Sequence, residues 1–149
     1  MNLRDLLAVF ILEESNFNIL HWNCQGKKFD RMHSLANEWY DRCGSNKDAV
    51  AEMAIRCGQE PVHYGEAIKI LQGNEIGFKV LTSDDTFEWE DFMRESQDIC
   101  KKVLKSIEEV LYSDEIQNKR ENVGIKATLE GMYEEWDLDA RYKNPKRMQ

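Results

Sequence analysis

Residues 21–33, HWNCQGKKFDRMH, with the run DAVAEMAIRCG at 48–58, decide how the chain is read. His21 closes one helical pattern, Gly26 interrupts it, Phe29 restarts it, and His33 falls one turn into the next. Asp48 and Glu52 are four residues apart, so on a helix their carboxylates leave the same face one turn apart. Imidazole and carboxylate together form a ligand set that first-row transition metals such as iron and zinc accept. A metal site is the expectation.

Outward from this stretch the spacing is helical. Leu6, Leu7, Phe10, Ile11, Phe17 and Leu20 recur at helical intervals, with Glu13, Glu14 and Asn18 at the other positions. The spacing predicts helices over about 3–24, 30–58, 61–72, 84–112 and 114–142. Asp30 is the expected N-cap of the second helix, with Phe29 as its staple, and Gly58 is its terminator. Along that helix Ala36, Tyr40, Cys43, Val50, Ala54 and Cys57 form an apolar stripe. Asp41, Asp48, Glu52 and Ile55 form a second stripe beside it. Thr82-Ser83-Asp84-Asp85 reads as the start of the third long helix, and Ser113-Asp114 as the cap of the fourth. The short 61–72 helix falls in a long crossover between two helix pairs, as in a ferritin-like bundle. The expected fold is all-α: a ferritin-like four-helix bundle with a short helix in the long crossover connection.

Composition narrows the function. A single domain over 1–149 is expected, long enough to bury a core without staples. No apolar run approaches the roughly 18 residues of a membrane span, and Met1–Asp5 does not read as a secretion signal, so a cytoplasmic location without membrane association is expected. The formal charge of −8 disfavours binding nucleic acid through the body of the fold. The final residues 141–149, basic at Arg141, Lys143, Lys146 and Arg147 and broken by Pro145, are expected to fray, with 143–149 as the basic tail. The four cysteines contain no Cys-x-x-Cys pair and are read as reduced and mostly buried. Trp39, Trp89 and Trp136 fall on apolar stripes, and His63, without a partner at ligand spacing, is read as structural.

The quoted stretch resembles the signature of the Dps proteins, the mini-ferritins of the ferritin-like superfamily. The likeness is close over roughly residues 15 to 61 and rests on the joint spacing of His21-Trp22-Asn23, Gly26, Phe29, His33 and Asp48-x-x-x-Glu52. It implies a ferroxidase site with His21, His33, Asp48 and Glu52 as iron ligands, shared across a two-fold interface. There the histidines of one subunit face the carboxylates of another. It also implies a homo-oligomeric shell, a dodecamer, that oxidises Fe(II) with hydrogen peroxide or dioxygen and stores ferric mineral. Trp22 resembles the tryptophan associated in that family with intercepting reactive intermediates. One departure is Asn37, which stands where the family commonly has an aspartate; a neutral amide is a poorer iron ligand. The chain also lacks a lysine-rich N-terminal tail, so no DNA binding is expected. The rival expectation is a ferritin-like structural or assembly protein that has lost ferroxidase activity and holds another metal such as zinc.

Overall fold

In the computed structural model, residues 1–143 are described, with side chains to 141. Four long helices form the bundle: α1 (Leu3–Asn23), α2 (Phe29–Arg56), α4 (Trp89–Leu111) and α6 (Val123–Asp137). Between α2 and α4 the chain crosses over through the short α3 (Tyr64–Leu71). Before α6 lie the single-turn α5 (Asp114–Gln117) and a 3₁₀ turn, and after it a π-helical segment, Leu138–Lys143. The architecture is the expected ferritin-like, all-α bundle.

The ends of the elements have local causes. Asn2 opens α1 with a capping box: its side chain accepts from Asp5 N, and the Asp5 carboxylate accepts from Asn2 N. Gly58 closes α2 at φ +78°, with its own N–H on Ile55 O and the Gln59 N–H on Ala54 O. That paired arrangement stops a helix in the left-handed region glycine favours. The start of α2 differs from expectation. The helix already includes Phe29, Lys28 occupies the N-cap position without a side-chain cap, and Asp30 lies in the first turn. There Asp30 complements the helix dipole instead of capping it.

Two further starts are displaced. The Asp85 carboxylate does accept from Thr82 N and Oγ, but the turn it makes does not continue into helix. Phe87 instead exchanges backbone bonds with the end of α1: its N–H reaches Asn23 O at 3.0 Å, and the Gln25 N–H reaches Phe87 O at 2.9 Å. With 85–87 committed to that bridge, α4 begins only at Trp89. The expected 114–142 helix is broken where asparagine side chains take local partners, Asn122 competing for a backbone carbonyl. The Asn118 amide binds the Asp114 carboxylate, the Asn122 amide donates to Glu115 O, and the long helix restarts after Asn122.

Phe10, Phe17, Trp39, Phe92 and Trp136 centre the core and are completely or almost completely buried. Phe17 lies 5.5 Å from Trp39 and 6.1 Å from Trp136, so the aromatic residues join α1, α2 and α6. Trp89 is partly buried, with the Lys28 ammonium 4.0 Å above its ring. Cys24, Cys43 and Cys100 are buried, Cys57 is partly so, and none is in a disulfide. Of the stretch expected to fray, Arg141 instead continues in the π-helical segment, its guanidinium donating to the Tyr133 hydroxyl at 2.9 Å. Pro145, Lys146 and Arg147 lie outside the described residues, as does the side chain of Lys143.

A buried polar knot holds the C-terminal segment to α2. Asp139 is 1% exposed and accepts from Arg42 at 2.7 Å and from Trp39 Nε1 at 3.1 Å. Trp136 donates to the buried Asn46 at 2.8 Å, and the Arg42 guanidinium lies over its ring. Removing one partner of such a pair weakens the compensation of a charge held away from water. Arg42→Ala is therefore expected to cost roughly 2–3 kcal/mol, moderated by the partial exposure of Arg42. A urea midpoint at fixed protein concentration measures it, and an unchanged midpoint would mean that the knot does not stabilise the fold.

Candidate metal centre

The α1–α2 turn brings His21 and His33 together. Their ring centroids are 3.8 Å apart, and Phe29 stacks on His33 at 5.2 Å. His33 Nδ1 lies 3.0 Å from His21 O. A carbonyl can only accept, so this nitrogen is the donor, which leaves Nε2 as the ring nitrogen available to a metal. The same carbonyl receives the Cys24 thiol at 3.5 Å. His21 Nδ1 is buried without a hydrogen-bond partner. Partial burial, then the neighbouring His33, hold His21 below the ordinary histidine range, with Asp41 opposing. His21, held toward its neutral form and with a ring nitrogen lacking a partner, fits a divalent cation beside the His33 ring.

The turn is braced from the crossover. The Asn23 side-chain amide donates to Ser83 O at 3.1 Å and to Asp85 O at 2.8 Å. With the Phe87 bridge, these bonds fix the end of α1 two residues beyond His21.

The carboxylates are elsewhere. His33 and Asp48 are fifteen residues apart on one continuous helix, a separation of about 22 Å at 1.5 Å per residue. Asp48 and Glu52 are exposed on the outer face of α2, as is Asn37 one turn beyond His33. Asp48 borders a groove of about 510 Å³ shared with Glu14, Asn18, Tyr40, Lys47 and Tyr64. Trp22, adjacent to His21, is 63% exposed. Among the described residues of one chain, no cluster of three or more His, Cys, Asp or Glu side chains could hold a metal ion. A single chain thus brings the two histidines together and keeps the two carboxylates apart from them.

His63 pairs with Glu66 at 3.0 Å, and Glu66 in turn accepts from Arg4 at 2.7 Å. These contacts tie α3 to the start of α1.

Glu13 is the polar residue the sequence reading misplaced. It is 1% exposed, not on an outer face, and burial pushes its carboxyl up to about 8. A signal was available: Glu13 is three residues after Phe10 and four before Phe17, the spacing of the buried face.

No protein-family model matches the chain. A curated relative, the DNA protection during starvation protein of Helicobacter pylori, is 27% identical over 122 residues, which is 81% of this chain and 74% of the relative. Among solved structures, Helicobacter cinaedi CAIP superposes with a TM-score of 0.83 at 18% identity, over 99% of this chain and 96% of that one. The DPS protein of Vibrio cholerae O1, described as a member of a broad superfamily of ferritin-like diiron-carboxylate proteins, gives 0.80 at 21% identity, over 99% and 86%. Dps from Staphylococcus aureus gives 0.80 at 18%, over 99% and 92%.

Proposed function

We propose, from the premise that this chain is a Dps-like protein of the ferritin-like superfamily, that it is an iron-sequestering mini-ferritin. It takes up Fe(II), oxidises it with hydrogen peroxide or dioxygen, and stores the ferric product inside a closed homo-oligomeric shell. Removing Fe(II) and peroxide together suppresses hydroxyl-radical chemistry, which gives protection against oxidative stress without any contact with DNA.

The observation that carries this reading is the separation along α2. At one end His33 lies against His21 from α1, and farther along the helix are two exposed carboxylates about 22 Å away. Neither half is a site, but the halves are complementary. A two-fold axis places the same patch of both copies face to face, so that residue i meets j and j meets i. With the two α2 helices antiparallel about an axis near Tyr40 and Asp41, His33 of one copy approaches Asp48 of the other. Each pair of copies then completes two equivalent sites. His21 and His33 supply nitrogen to Fe(II), while Asp48 and Glu52 supply anionic oxygen that balances the charge gained on oxidation. Trp22, exposed beside His21, is assigned the role of donating an electron to a reactive intermediate, a role its exposure supports.

The test is Fe(II) oxidation by hydrogen peroxide under anaerobic conditions, followed by sizing of the product with its iron content. The expected result is oxidation well above the rate in buffer and a shell that retains many irons per subunit. A shell of the same size with no turnover would overturn the reading. Asn37 favours that second outcome, a structural ferritin-like assembly holding another metal such as zinc, because an amide at this position brings no charge to a second iron.

A further inference from the structure

Away from the metal centre, one buried ionisable group has no structural explanation. Glu13 sits inside the bundle, its Oε1 accepting from the Asn16 side-chain amide at 2.6 Å, while its Oε2 is buried with no partner. Asn16 is saturated in turn. Its amide also donates to Lys79 O at 2.9 Å, and its carbonyl accepts from the Leu81 N–H at 2.9 Å. Glu13 and Asn16 therefore clasp the crossover backbone at 79–81 onto α1.

We propose that Glu13 is a proton-operated latch: protonated, it seats residues 79–81 against the bundle, and ionised, it lifts them.

The surroundings of the carboxyl decide the direction. The void beside Glu13 is lined by Asn16 from α1, by Lys79 and Leu81 from the crossover, and by Glu95, Asp98, Ile99 and Lys102 from α4; it is too tight to admit a water molecule. Both lysines are engaged, Lys79 with Glu95 and Lys102 with Asp98, each at 2.8 Å. From α2 the facing group is the Cys43 thiol, which burial pushes well up, so that it stays neutral. A neutral carboxyl tolerates this void at the cost of one unmade hydrogen bond. A carboxylate does not, because an uncompensated charge away from water is far more expensive. It must gain water or draw in a lysine, and both need the void to open. Two of its walls are long helices packed on the aromatic core. The third is the irregular crossover, where Val80 is already 47% exposed. The crossover is the wall that yields.

The latch itself does not depend on iron. Its consequence for the metal centre rests on the proposed function: the strap held at 79–81 is the one that braces Asn23 and Gln25 at its far end, next to His21. Lifting it loosens the seat of the histidine pair.

The experiment is hydrogen exchange on the intact, iron-free protein from roughly pH 6.5 to pH 9.5, corrected for the base catalysis of exchange itself. The expected result is a fall in the protection of the Leu81 segment of about 10-fold or more across the range, with α4 core segments unchanged. Glu13→Gln, which mimics the protonated form, should abolish that fall. A protonated carboxyl band in the infrared spectrum of the wild-type protein at neutral pH, titrating with the same midpoint, supplies a readout that needs no variant. Wild-type protection of 79–81 that is flat across the range, or the absence of that band, would overturn the proposal whatever happens to iron oxidation.

Discussion

Alanine at Asp48 is expected to lower peroxide-driven Fe(II) oxidation at least about 100-fold, and alanine at His33 to do the same. The two losses should differ in what accompanies them. Asp48 is exposed on the outer face of α2, and surface replacements of that kind shift stability by about 0.5 kcal/mol or less. Its variant should keep the wild-type unfolding midpoint and lose only chemistry. His33 is part of the turn, stacked on Phe29 and bonded to His21 O. Its variant should also lose on the order of 1 kcal/mol of stability. Stopped-flow oxidation beside urea unfolding separates the two. If Asp48→Ala oxidises iron at the wild-type rate, the carboxylate half of the proposed site is wrong.

Glu13→Gln should make the protein more stable, and increasingly so as the pH rises. The ordinary value for this carboxyl is 4.5, which serves for the unfolded chain, whereas burial raises it to about 8 in the fold. Between these values the native state holds a proton that the unfolded state has released. Stability conferred by the native protonated group is therefore undiminished below about 4.5, declines as pH rises, and levels off above about 8. The full span is on the order of 3–5 kcal/mol. Glutamine cannot ionise and removes the slope. Its second amide N–H finds no partner in the void, which offsets part of the gain. The pH dependence of the gap is thus the readout. Unfolding midpoints of the two proteins should converge toward pH 5 and separate toward pH 8. Parallel curves would show that Glu13 is ionised in the fold.

The helices were legible because each rests on local cues. Apolar residues at helical spacing, Gly58 as terminator and Gly26 as the break place α1 and α2 within one or two residues. The histidine pair was legible for the same reason, since both residues flank one short turn. What the sequence hid depends on contacts between distant segments. Thr82 to Asp85 carries the composition of a helix start, yet the backbone near Phe87 is claimed by Asn23 and Gln25, some sixty residues away. Nothing within 114–122 distinguishes a helix from a broken turn until Asn118 and Asn122 choose backbone and side-chain partners. The Arg42–Asp139 pair spans nearly the whole chain. Glu13 was misplaced because charge was weighed above position: its spacing from Phe10 and Phe17 put it inside, where only the loss of its charge makes it tolerable. The two carboxylates of the proposed centre are the opposite case. They are plain in the sequence, yet within one chain the fold gives them no partner histidine.

Mixing two inactive proteins reveals whether the site is completed between copies. One carries His21→Ala with His33→Ala, the other Asp48→Ala with Glu52→Ala, and the two are co-assembled, with mixing verified by native mass spectrometry. In a two-fold pair containing one of each, one shared site loses all four ligands and the other keeps them all. Random assembly of equal amounts makes about half the pairs mixed, so the predicted oxidation rate is about one quarter of the wild-type rate. Mixed shells that oxidise Fe(II) no faster than either variant alone would contradict the shared site.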